Sequence, residues 1–110
     1  MGMIFRKEHI VKILEGKKTQ TRRLHAPPRK SGRIYRIKRD WIHYTDHTIK
    51  IERVYRQRLG DISAEEALKE GGYSVEEFKE VWEKINESWD PNLEVWVYEF
   101  RLLPTQHRLV

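Results

Sequence analysis

Gly16-Lys17-Lys18-Thr19-Gln20-Thr21-Arg22-Arg23 holds a helix terminator, a run of cations and the start of a strand in one short stretch. Ahead of it, His9-Ile10-Val11-Lys12-Ile13-Leu14-Glu15 places Ile10, Ile13 and Leu14 on one helical face. Gly16 follows directly, and glycine ends helices in the left-handed conformation because it carries no Cβ. Beyond it, Thr19 to Leu24 has β-branched and long side chains and is expected to run as a strand. The reading is a helix exit that feeds a strand and concentrates Lys17, Lys18, Arg22 and Arg23 at the junction.

Outward from this junction the remaining elements follow. Met3-Ile4-Phe5 is long enough for an edge strand. Residues 25–32 are expected to form a loop, since Pro27 and Pro28 cannot sit inside a paired strand. Arg33 to Trp41 and Thr48 to Arg56 read as two strands, with Ile49, Ile51 and Tyr55 facing one way and Tyr44-Thr45-Asp46-His47 joining them as a hairpin. Ser63-Ala64-Glu65-Glu66 and Ser74-Val75-Glu76-Glu77 each have the Ser-x-x-Glu form of a capping box, which satisfies orphan N–H groups at a helix start. The first of these helices runs to Glu70 and stops at Gly71-Gly72. The second sets Val75, Phe78, Val81, Trp82 and Ile85 on one stripe and ends near Asn86. Asp90-Pro91-Asn92 turns the chain into Leu93 to Phe100, the strongest strand signal. The order predicts an α+β domain: a small, mostly antiparallel sheet curled into a barrel, with about three helices packed against it. One domain is expected over 1–104, with 105–110 as a flexible tail.

Composition narrows the function. The chain has no cysteine, which excludes disulfides, thiolate metal sites and Cys nucleophiles. It lacks the apolar run of a membrane span and the h-region of a signal peptide, so a cytoplasmic protein is expected. Abundant Lys, Arg and Glu with few Asn and Gln lean toward a thermophilic source. The net charge of +5 conceals an asymmetry: residues 1–58 carry 17 Lys and Arg against 5 Asp and Glu, while residues 59–110 carry 5 against 12. A basic half of this kind is either a surface for an anion or a solvated face of mixed sign.

The Gly16–Arg23 segment resembles the signature of the ASCH family (activating signal cointegrator homology), whose pattern is Gly-x-Lys-x-x-Glu-x-Arg after a helix. Gly16, Lys18 and Arg23 match, and Thr21 stands where that pattern has Glu. The Thr version, Gly-x-Lys-Thr-x-Thr-x-Arg, is that of small bacterial ASCH proteins that hydrolyse acetylated cytidine. The resemblance extends over roughly residues 3–103, through a strand at Gly32 to Ile37, a Glu-Glu-Ala-x-x-Glu helix at Glu65 to Glu70 and the final Trp-Val-Tyr-Glu-Phe strand. It implies a PUA-like fold and an association with RNA. It further implies catalysis by a Lys, a Thr and a Glu, which match Lys18, Thr21 and Glu70, with Glu65 and Glu66 one turn earlier as competing matches for the last.

The residues themselves leave each role open. A Thr hydroxyl is inert until a base takes its proton, and an amine serves only if its pKa falls toward neutrality. The neighbouring cations push Lys18 in that direction, which makes it a base for Thr21 or for water; otherwise it is a point charge for phosphate. Residues 18 and 21 would point to opposite faces of an ideal strand, so the catalytic pairing requires the Gly16 turn to persist to about Thr19. Glu70 sits in the last turn of its helix, where the macrodipole disfavours a negative charge, as suits a proton donor; an ordinary exposed Glu is the alternative. Gly16, Lys17, Arg22, Arg23, Arg36 and Trp41 are the candidate ligand-binding residues, with arginines tracking phosphates while aromatics stack bases. Tyr35 and Tyr55 are expected in the core, and Trp41 and Tyr44 near a hairpin tip are expected to be exposed. His43 and His47 flank Asp46 without a His-Glu-x-x-His motif, so no metal site and no cofactor are expected. The expected partner is RNA or a nucleoside, and the expected state a monomer. Three functions compete: an N(4)-acetylcytidine amidohydrolase, a non-catalytic RNA-binding module and, more remotely, a metal-assisted ribonuclease.

Overall fold

The structure is a computed structural model that describes residues 2–24 and 29–105. The expected loop is thus described from Arg29 onward, and all but Thr105 of the expected tail lies outside the described residues. Five strands and three helices follow one another: β1 (Gly2–Ile4), α1 (Lys7–Leu14), β2 (Gln20–Arg23), β3 (Ile34–Lys38), β4 (Tyr44–Arg58), α2 (Ala64–Gly71), α3 (Val75–Asn86) and β5 (Glu94–Leu102). The strand order is β1-β3-β4-β5-β2, parallel between β1 and β3 and antiparallel elsewhere. No helix among the described residues is long and apolar enough to cross a membrane.

The sheet buries both faces. Met3, Phe5, Tyr35, Ile37, Ile49, Ile51, Tyr98 and Phe100 pack with Ile10 and Ile13 of α1 on one side. Leu59, Ile62, Val95 and Val97 pack with Ala67 of α2 and with Phe78 and Trp82 of α3 on the other. The inner strand β5 serves both cores by alternation, Val95 and Val97 to one face and Tyr98 and Phe100 to the other. Both predicted capping boxes form, and Gly72 closes α2 at φ 79°.

Four expectations change. The sheet is open: β1 and β2 are its edges and do not pair, although Arg23 Nη2 of β2 donates to the Ile4 carbonyl at 2.6 Å across the seam. Edges of three and four residues are too short to close a barrel, and the Arg23 side chain occupies the gap. Tyr44 to His47 belong to β4, because the turn closes earlier, where the Asp40 carboxylate accepts the N–H groups of Ile42 and His43. A bulge between Ile51 and Arg53 flips the facing of β4, so that Val54 lies opposite Tyr98 while Tyr55 joins the α2–α3 side. Leu14 is exposed, because the sheet covers the helix stripe only as far as Ile13.

Candidate functional site

The helix exit is built by backbone hydrogen bonds. Gly16 takes φ 78°, and the N–H groups of Lys17 and Lys18 both donate to the Lys12 carbonyl, so the turn continues past the glycine. Thr19 N then donates to the Lys69 carbonyl of α2 at 2.8 Å, and the strand begins only at Gln20. Lys18 therefore precedes the strand, and strand alternation places no constraint between it and Thr21.

Lys18 is turned inward, 3% exposed, and its Nζ donates to the carbonyls of Gln20 and Glu70 at 2.9 Å each and to Glu70 Oε1 at 3.3 Å. Glu70, 4% exposed in the last turn of α2, accepts from Arg22 Nη1 on its other oxygen at 2.7 Å. Of the three carboxylates that competed for this role, Glu70 is the one beside Lys18. Glu66 meets Arg22 Nη2 at 3.1 Å and accepts from the Tyr55 hydroxyl at 2.9 Å, while Glu65 pairs with Lys69 on the surface. Arg22 also donates to Gln20 Oε1 and, at 2.6 Å, to Gln57 Oε1. Part of the charge asymmetry is thus consumed inside the fold, where carboxylates of the acidic half neutralise cations of the basic half.

Burial dominates the electrostatics. It holds the Lys18 ammonium below its usual pKa, the Glu70 carboxylate pulls back, and Arg23 and Arg22 reinforce the lowering. The sequence placed the cause in neighbouring cations; desolvation is the larger one. Lys17 has no part in it, with its side chain 61% exposed near Glu15. Arg23 is lowered to about 10, by burial and then by Arg29. His9 is lowered to about 4, by burial and then by Lys18, so its imidazole is neutral at pH 7. For Glu66 burial acts upward but is outweighed by hydrogen bonds from Ser63 N–H, Tyr55 and Gln57 and by Arg22, which bring it to about 2.

A cavity of about 240 Å³ opens beside these groups, where the sheet is unclosed between β1 and β2. Lys18, Thr21, Arg22, Arg23 and Glu70 line its polar side. Phe5, Leu24, Tyr73, Phe78, Val81, Trp82 and Ile85 form an apolar wall, and His9 stands at the α1 side. Thr21 is buried in this lining, and no described group takes its hydroxyl in a hydrogen bond. The volume lies below the usual range of ligand sites, which starts at about 300 Å³, and the mixed lining suits one small, flat, partly polar molecule.

The cavity gathers Lys18, Thr21, Glu70, Arg22 and Arg23 from the sequence candidates. Gly16 and Lys17 are exposed outside it, the former shaping the turn. Arg36 and Trp41 lie on the β3–β4 hairpin, Arg36 over the Tyr44 ring and Trp41 84% exposed. Among the described residues no group of three His, Asp or Glu converges as a metal would need, and His43 is paired with Asp40 at 2.8 Å. Sequence reasoning missed His9, a lone helical histidine with no motif around it, and Tyr73, which follows the Gly-Gly break. It read the α3 stripe as core, and its Val81 and Ile85 end become cavity wall instead.

No family model and no curated protein matches the chain. Solved structures do. An ASCH domain from Lactobacillus crispatus superposes with a TM-score of 0.64 at 15% identity, covering 86% of this chain and 69% of that one. An ASCH protein from Zymomonas mobilis gives 0.64 at 12% identity over 90% and 64%. The chain has the ASCH fold. A DUF984 protein of Enterococcus faecalis shares that fold with a TM-score of 0.67 at 16% identity, over 100% of this chain and 86% of that one. In this ASCH fold the Gly16–Arg23 segment is the structural hinge of the site: it leaves α1, binds the end of α2 through Thr19, and carries Lys18 and Thr21 to the cavity.

Proposed function

We propose that the chain is an ASCH-family amidohydrolase that removes the acetyl group from the exocyclic amine of N(4)-acetylcytidine. The observation that carries this reading is the buried Lys18–Glu70 pair, which shares one cavity of about 240 Å³ with Thr21. An ammonium that burial holds below its usual pKa gives up its proton more readily and so supplies a base.

In the step we envisage, neutral Lys18 takes a proton from the Thr21 hydroxyl or from a water. The freed oxygen adds to the acetyl carbonyl carbon, and the carbonyl oxygen carries the charge near Arg23. The carbon–nitrogen bond then breaks, and the proton reaches the departing amine through Lys18 and Glu70. Attack by water yields acetate and cytidine directly. Attack by Thr21 leaves an acetyl ester, and one water then cleaves it to acetate and restores the hydroxyl. The apolar wall of Phe78, Val81 and Trp82 would take the face of the base and the acetyl methyl.

The test is incubation of the purified protein with N(4)-acetylcytidine, with free cytidine followed by chromatography. Cytidine should accumulate with the wild type and not with Lys18→Ala or Thr21→Val. Undiminished turnover in Lys18→Ala would overturn the assignment. A second reading, a non-catalytic RNA-binding module, draws support from the exposed Arg33, Arg36 and Arg39 on the hairpin. It applies if the nucleoside stays intact while the protein binds RNA with an affinity that falls steeply as salt rises.

A further inference from the structure

The buried charged groups around the cavity are engaged with the protein itself. Lys18 donates to two carbonyls and to Glu70, and Arg22 to Gln20, Gln57, Glu66 and Glu70. Arg23 donates to the Ile4 carbonyl. His9 is different. It is half-buried in the cavity lining, and no described residue hydrogen-bonds its ring. The helix fixes where it stands. At about 100° per residue, His9 falls between Ile13 and Lys12 on the circumference of α1. Ile13 turns to the sheet core, while the Lys12 ammonium reaches the Gly71 carbonyl at 2.7 Å and lies 4.4 Å from the centre of the Tyr73 ring. The imidazole therefore sits where the sheet and the end of α2 meet, beside the Lys18–Glu70 pair.

Charge supports this placement. Burial and then the Lys18 ammonium keep the His9 ring neutral at pH 7; Glu8 opposes them, and Arg6 and Lys12 reinforce them. A neutral imidazole has one N–H to donate and one nitrogen to accept. Tyr73 also lines the cavity, but Lys18 is not among the charges that act on it, so of the two His9 is nearer the reacting end. A neutral donor beside Lys18 has a particular use. When the carbon–nitrogen bond breaks, its electron pair is left on the exocyclic nitrogen and spreads onto the neighbouring nitrogen of the cytosine ring. The proton carried by Lys18 and Glu70 goes to the exocyclic atom alone. An N–H held at the ring nitrogen stabilises the charge as it develops, and it adds no further cation beside Lys18 and Arg23.

We propose that His9 donates its imidazole N–H to the cytosine ring nitrogen next to the scissile amide, stabilising the departing base. This rests on the reading that the cavity takes acetylated cytidine, and it narrows the substrate class to amides of an amino group that stands beside a ring nitrogen.

The test compares kcat/KM on N(4)-acetylcytidine with kcat/KM on its 3-deaza counterpart, which has C–H in place of that ring nitrogen. Wild type should prefer the natural compound, and His9→Ala should lower the preference roughly 10- to 100-fold, the span for one hydrogen bond to a charged group. The loss should fall on kcat more than on KM, and on the natural compound far more than on the deaza one. His9→Gln keeps an N–H and should retain part of the preference. His9→Phe keeps a ring without the donor and carries the comparison if His9→Ala does not fold. Equal losses on both substrates mark a purely structural histidine and overturn the proposal, as does an unchanged preference. If wild type hydrolyses neither compound, the amidohydrolase reading fails, and His9 is then judged by calorimetric Kd values for the same pair. A wild-type preference that His9→Ala erases sustains the contact there; an undiminished preference, or no binding of either compound, overturns it.

Discussion

Replacing Glu70 with Gln tests the energetics of the site without changing its shape. The carboxylate stands 3.3 Å from Lys18 Nζ and 2.7 Å from Arg22 Nη1, with all three side chains essentially closed to solvent. Gln keeps the volume and removes the charge that both cations share. Arg22 retains Glu66 at 3.1 Å, whereas Lys18 retains only two backbone carbonyls. Breaking a buried ion pair from one side costs about 3–5 kcal/mol. The residual partner of Arg22, and the ease with which a buried amine sheds its proton, place the expected loss at the lower end, about 3 kcal/mol. For a domain of this size that is a fall in Tm of roughly 12 °C or more, readable by circular dichroism at pH 7. The gap to wild type should narrow as pH rises toward the ordinary lysine pKa. Without Glu70 the folded state holds the Lys18 proton less tightly, while the unfolded chain keeps it up to about 10.5, so the variant gains stability with pH faster than wild type does. A loss below about 1 kcal/mol, or a gap that stays constant up to pH 10, would refute the reasoning.

Two further outcomes follow from the same geometry. Gly16→Ala should cost about 1 kcal/mol in urea denaturation, because φ is 78° and a Cβ there meets nothing within 4 Å, which makes the cost conformational only. His9 has a pKa of about 4 in the fold against 6.5 in an open chain, so the unfolded state binds the proton first as pH falls. Its share of stability is complete above pH 6.5 and lost between 6.5 and 4, and His9→Gln should flatten the decline of Tm across that window.

Much of the fold was legible because its signals are local. The two capping boxes, the Gly16 and Gly72 exits and the β5 run each declare themselves within a few residues, and each is found where it was read. What failed depended on distant partners. The hairpin turn moved because the Asp40 side chain captures two backbone N–H groups, and Tyr55 changed face because a bulge shifts one strand against another. The open seam between β1 and β2 has no local signature, since strand shortness matters only once the edges approach each other. At the site, Lys18, Thr21 and Glu70 were legible through a family pattern, but their environment was not. The Gln20, Gln57 and Glu66 groups that accept from Arg22, and the Tyr55 hydroxyl that donates to Glu66, come from β2, β4 and α2 and meet only in three dimensions.

The pH dependence of kcat/KM for N(4)-acetylcytidine interrogates the base itself. If desolvated Lys18 accepts the proton, the rate should climb with pH through an inflection below 10.5, and Arg23→Gln, which removes a cation facing the amine, should move that inflection upward. A profile indifferent to Arg23→Gln, or no cleavage at any pH, would contradict a lysine base in this cavity.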